Sequence, residues 1–167
     1  LEEGSHRQSG IAGCFSAQEY LENHIRKHEH TRKDKEEDRT RHIDETNAQT
    51  GVVLLTYKAQ ADVNALVQKV TARKPLYDFM ADDGIRHIVH LIDDAAEISA
   101  LVRYFEGINP LYIADGHHRS AGASIVYERR KAANPGHSGN EEYAYFLAVA
   151  FPDNEMRILP YNRVLVD

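Results

Sequence analysis

The sequence predicts an α+β fold in which a mixed β-sheet carries flanking helices. Two observations lead there. Strand-like and helix-like runs alternate along most of the chain. Hairpin signals interrupt that alternation, most clearly Asp82-Asp83-Gly84 between "PLYDFMA" and "IRHIVHLI".

The elements follow in order. "LEEGSHRQSG" is polar and reads as a turn with a piece of strand before it. "GIAGCFS" is short and apolar, a strand at about residues 10–15. Ser16 and Glu19 form a capping box, S-x-x-E, that opens a helix through Tyr20 and Leu21. Residues 26–46 hold one strong hydrophobe, Ile43. "GVVLLTY" predicts a buried strand at 52–57, and Val63, Leu66, Val67 and Val70 follow helical spacing. Ile98, Leu101, Val102 and Phe105 predict a further helix, ended by Gly107. A strand at 111–114 runs into a helix at about 117–133. "NPGHSGNEE" reads as a loop, and "YAYFLAVAF" and "MRILPYNRVLV" as two closing strands. Residues 1–167 are expected to form a single domain.

Composition narrows the function. Of the 167 residues 42% are hydrophobic, enough for a real core. The formal charge of −6 argues against a general nucleic-acid or membrane-surface binder. The single cysteine, Cys14, excludes an internal disulfide. No apolar run approaches the roughly 18 residues of a membrane span, and no signal peptide is evident, so a soluble, cytoplasmic protein is expected.

The run "LYIADGHHRS" holds the strongest chemical signal. A strand ends at Asp115-Gly116, and the next helix begins with His117, His118, Arg119 and Ser120. A helix start exposes unsatisfied N–H groups and a partial positive charge, so it favours acidic residues. Cationic groups there oppose the dipole, at some tenths of a kcal/mol each. A bound anion resolves the conflict, and phosphate is the usual one. Gly116 lets the backbone come close to a ligand, and Arg119 offers a bidentate fork to phosphate oxygens. Asp115 can cap the helix, orient a histidine or help hold a metal beside the phosphate. Two plainer readings stand beside this one: a capped turn, and a histidine zinc site. Adjacent histidines suit a single zinc poorly, and no C-x-x-C or H-E-x-x-H occurs. No structural zinc is expected.

"LYIADGHHRSAGAS", "IRKHEHTRKDKEEDRTRHIDETNA", "EEYAYFLAVAFP" and "ILPYNRVL" resemble a bacterial and archaeal family known as domain of unknown function 1015. The resemblance spans nearly the whole chain. Members are longer, and it is their central part that this chain resembles. More distantly, a strand, D-G-H-H-R and a helix are similar to the phosphate-binding motif of the ParB/sulfiredoxin-like superfamily. Sulfiredoxins carry a catalytic cysteine where this chain has His117, which sets their chemistry aside. The partition proteins add a DNA-binding domain, and no helix-turn-helix is evident here. Kinases of free serine resemble the chain best, because they pair D-G-H-x-R with an upstream glutamate near a helix start. "KHEHT" offers Glu29 in that context.

The resemblance implies a nucleotide-binding domain acting as a phosphotransferase on a small hydroxyl compound such as free serine. Phosphates of ATP or ADP would lie at Asp115, Gly116, His117, His118, Arg119 and Ser120. Glu29 would be the catalytic base, and His28, His30 and Arg32 would contact the substrate. Mg²⁺ would bridge phosphate oxygens near Asp115. The alternative is a nucleotide-sensing or protein-interaction module that keeps the pocket without turnover. For residues 33–46 the plain reading is a solvated helix with ion pairs such as Glu36 with Arg39 and Glu37 with Arg41, preceded by Glu22 with Arg26. His87 and His90 fall on opposite faces of a strand and make no natural metal pair. Tyr112, Tyr143 and Tyr145 read as core or sheet-face aromatics, and Tyr161-Asn162-Arg163 as a structural turn or a functional motif.

Overall fold

A computed structural model describes residues 6–160 and 162–165. The first strand, β1 (Ile11–Ser16), leads into α1 (Ala17–Leu21). Ser16 closes the expected cap: its Oγ accepts from the Glu19 N–H at 3.2 Å. A two-residue strand, β2 (Ile25–Arg26), precedes α2 (Lys33–Thr46). Then come β3 (Val53–Tyr57), α3 (Ala61–Thr71), β4 (Tyr77–Met80), β5 (Arg86–Val89) and α4 (Ala95–Glu106). The chain continues through β6 (Leu111–Asp115), α5 (His117–Ala133) and β7 (Tyr145–Pro152).

Five strands form one sheet in the order β1-β7-β3-β6-β2. β1 runs antiparallel to β7 and β3 antiparallel to β6, while β3 is parallel to β7 and β2 to β6. The sheet is therefore mixed and its helices flank it, as the alternating runs and hairpin signals predict. Val53, Leu55, Ile113, Phe146, Ala148 and Ala150 form its buried heart. Phe105 of α4 reaches that core edge-on against Phe15 and Tyr57. Glu97 ties α4 to α3: its buried carboxylate accepts from Arg73 Nη1 at 2.9 Å and lies 3.0 Å from Lys69 Nζ. Both cations hold the Glu97 carboxyl below its usual range.

β4 and β5 stand apart as a two-stranded ribbon. Its turn is the expected one. The Gly84 N–H donates to the Ala81 carbonyl at 2.9 Å, and Gly84 takes a φ of +79°, a conformation that favours glycine.

Two expectations change. The last closing strand does not form. Residues 156–160 and 162–165 have no strand pairing, and Ile158 and Leu165 are 96% and 95% exposed. A strand needs a neighbour for its N–H and C=O groups, and β1 and β2 remain the sheet edges. A short apolar run cannot reveal whether such a neighbour exists. Second, α2 is not simply solvated. It packs along α5, with Thr40 buried and Arg39 and Thr40 against Gly122. Its exposed side carries ion pairs, Lys33 with Glu37 and Asp38 with Arg41. Glu22 and Arg26 share no helix, since Glu22 caps α1 and Arg26 lies in β2. The tyrosines hold to expectation: Tyr112 lies on an exposed sheet face of β6, and Tyr143 and Tyr145 pack on the core. Tyr161 and residues 1–5 lie outside the described residues.

Candidate functional site at the start of α5

β6 ends at Asp115, and Gly116 turns the chain into α5 with a φ of +96°. A side chain at Gly116 would be strained by that angle, and its Cβ would lie 3.2 Å from the Val53 Cα. The turn sits tightly against the entrance of β3. No acidic residue occupies the first turn of α5.

The carbonyl of Gly116 accepts the N–H groups of Arg119 and Ser120, at 2.9 and 3.0 Å. The Arg119 N–H is therefore engaged within the first turn. The first helical N–H groups, those of His117 and His118, have no acceptor within the helix. Ser120 is fully buried, and its Oγ donates back to the carbonyls of His117 and Gly116 at 3.1 and 3.3 Å. It secures the first turn from inside.

Arg119 lies across the end of β3. Its Nη1 donates to the Val52 carbonyl at 2.8 Å and to Asp115 Oδ2 at 3.1 Å. Gly51 makes room for this arrangement, because a Cβ there would stand 2.8 Å from Arg119 Cδ and Nε. Gly51 and Val52 belong to the site and were not among the expected residues. The one signal for them is the glycine that opens "GVVLLTY".

The segment before α2 closes over the turn. Glu29 Oε2 lies 3.6 Å from His117 Nδ1, and the ring of His28 meets that of His117 edge-on, centroids 4.5 Å apart. The Arg32 N–H donates to His118 Nε2 at 3.1 Å, linking residues 86 positions apart. The Arg32 guanidinium turns away to Asp34, at 2.7 Å, and holds that carboxyl below the usual range. His30 is exposed, and among the described residues no contact joins it to this cluster. The structure thus brings Glu29, His28 and the Arg32 backbone to the D-G-H-H-R turn and leaves His30 aside.

His117 is the electrostatic centre. It is 5% exposed, while Glu29 keeps 59% of its side chain open to solvent. Burial, reinforced by His28, depresses the His117 pKa below 6.5, against the opposing pull of Glu29 and Asp115. Its Nε2 is buried and has no hydrogen-bond partner among the described residues. A neutral, incompletely satisfied imidazole at a helix start can take up a proton when an anion arrives. Among the described residues, no group of three or more His, Cys, Asp or Glu is placed to hold a metal. Also among them, no helix is long and apolar enough to cross a membrane.

An α+β domain with a glycine-hinged, histidine-rich strand-to-helix turn defines the class of site. The chain belongs to the family described as Protein of unknown function (DUF1015), which it matches over residues 1–167. No curated protein and no solved structure matches it.

Proposed function

We propose that this is a nucleotide-binding domain that transfers a phosphoryl group to a small hydroxyl substrate such as free serine. The supporting observation is the meeting of two distant runs: the Glu29 segment lies on the D-G-H-H-R turn, with Glu29 and His117 3.6 Å apart. Phosphates sit at the helix start, against the N–H groups of His117 and His118. Arg119 swings from Asp115 to the phosphate oxygens, a better acceptor set for its fork. His117 gains a proton and offsets the added negative charge. Glu29, exposed beside it, accepts the proton of the attacking hydroxyl as that oxygen bonds to the terminal phosphorus and the P–O bond to the nucleotide breaks, releasing ADP from ATP or AMP from ADP. A Mg²⁺ ion would need only one or two protein carboxylates here. Asp115, 69% exposed and bonded to Arg119, suits that demand, and the ion would neutralise phosphate charge.

The test mixes ATP or ADP, Mg²⁺ and candidate acceptors, and reads phosphorylated product by mass spectrometry. Arg119→Ala should weaken nucleotide binding by about 1–3 kcal/mol, the scale of a lost charged hydrogen bond. Glu29→Gln should leave affinity intact and slow transfer roughly 10²–10⁴-fold. Tight nucleotide binding without product from any acceptor would leave a sensor module in its place.

A further inference from the structure

The β4–β5 ribbon has the composition of a core and the exposure of a surface. All eight of its strand residues are exposed. Pairing sets its two faces. Tyr77 lies opposite Val89 and Phe79 opposite His87, with the Phe79 and His87 rings stacked at 5.3 Å. By strand alternation, Ile85 and Leu91 extend the same face beyond β5. The other face carries Asp78 and Arg86, ion-paired at 2.6 Å, beside Met80 and Ile88.

The first face is therefore apolar except for His87. Tyr77, Phe79, Ile85, Val89 and Leu91 are 61, 52, 55, 44 and 57% exposed. At roughly 200 Å² for a whole large side chain, that is on the order of 500 Å² of apolar surface on one face. A two-stranded ribbon with neither face covered is marginally stable in water.

We propose that this face is a homodimer interface, on which the ribbon of a second copy packs face to face. Area supports that occupant. Two such faces bury on the order of 1,000 Å² together, the size at which a specific interface begins. Charge supports it as well. The chain carries −6 overall, yet this face presents no acidic or basic side chain apart from His87, so two copies meet without burying like charges. The two-fold axis of this dimer runs across the strands, so the two ribbons point in opposite directions. The acidic tip of one, Asp82-Asp83, then reaches the base of the other, where Lys74 is exposed beside Arg73 and Asp93. The proposal is independent of the reading of the α5 site.

Sedimentation equilibrium of the whole chain tests it. Wild type should dimerise with a Kd in the range of about 1–100 μM, fitting an interface at the small end. Phe79→Glu should raise that Kd at least about 100-fold, the loss of a central anchor. The side chain lies outside the five-stranded core, so circular dichroism should show the fold unchanged. Asp83→Lys should weaken association roughly tenfold, and adding Lys74→Glu should restore it. A monomer at several hundred micromolar overturns the proposal, whether the face is bare or serves a different partner. So does a dimer indifferent to both Phe79→Glu and the charge exchange.

Discussion

Helix α5 and the β4–β5 ribbon exchange the roles their compositions suggest. α5 begins His-His-Arg-Ser-Ala-Gly-Ala-Ser, a polar and small-residue run, yet eight of its residues are buried. The ribbon reads Tyr-Asp-Phe-Met and Arg-His-Ile-Val, and none of it is buried. Small side chains let α2 approach until Arg39 and Thr40 touch Gly122, so α5 is enclosed by close backbone packing. Among the described residues, the ribbon's large side chains meet one another across the two strands and stay at least 41% exposed. Burial follows from what lies across the interface, and side-chain hydrophobicity is only one side of it.

Aromatic truncation in the two regions gives the largest expected contrast. Tyr127 of α5 is 2% exposed, and its hydroxyl donates to Gln18 Oε1 at 3.0 Å. Tyr127→Ala should cost about 3–5 kcal/mol in urea unfolding. Phe79→Ala, measured at concentrations low enough to hold the monomer, should cost within about 0.5 kcal/mol. Equal costs would break the comparison.

Overpacking sharpens it. Gly122→Val places a Cβ 3.0 Å from Arg39 Cβ and 3.2 Å from the Thr40 nitrogen, which is backbone and cannot turn aside. A loss of about 1–3 kcal/mol is expected in the same measurement. Gly84→Ala, at the ribbon tip, meets no neighbouring atom within 4 Å, and its penalty comes only from the positive φ.

The smallest effect concerns protons. His117 titrates below 6.5 in the folded protein and near 6.5 when unfolded. Between those values the unfolded chain binds more protons, so stability is full above pH 6.5 and falls as pH drops toward the folded pKa. His117→Gln should flatten that part of the stability–pH profile. Phosphate bound as proposed should raise the His117 pKa, and an NMR titration with and without phosphate reads the shift.

Much of this architecture could be read from residue order. The Ser16 cap, the Asp82-Asp83-Gly84 turn, and the start of α5 after Gly116 are all local. Each depends on side chains and backbone angles within a few residues, so spacing and residue type decide them. The site was legible in part. Polar residues at a helix start point to Asp115 through Arg119, and histidine and glutamate alternating with basic groups mark residues 26–32, whereas the role of Glu29 as a base came from resemblance. Gly51 was not legible, since its role is the space it leaves for an arginine 68 positions later. The expected strand in "MRILPYNRVLV" failed for the same reason, because apolar content gives a run the means to pair and no partner to pair with.

Residue order alone therefore specifies the local elements and the unusual chemistry at the start of α5. Long-range packing places Glu29 beside His117, latches the Arg32 backbone to His118 and rests Arg119 on the Val52 carbonyl. It also decided that α5 is enclosed and the ribbon is not. The physical reason is the same in each case: these are contacts between segments far apart in the chain, fixed by strand order and helix packing, which no short stretch of sequence encodes.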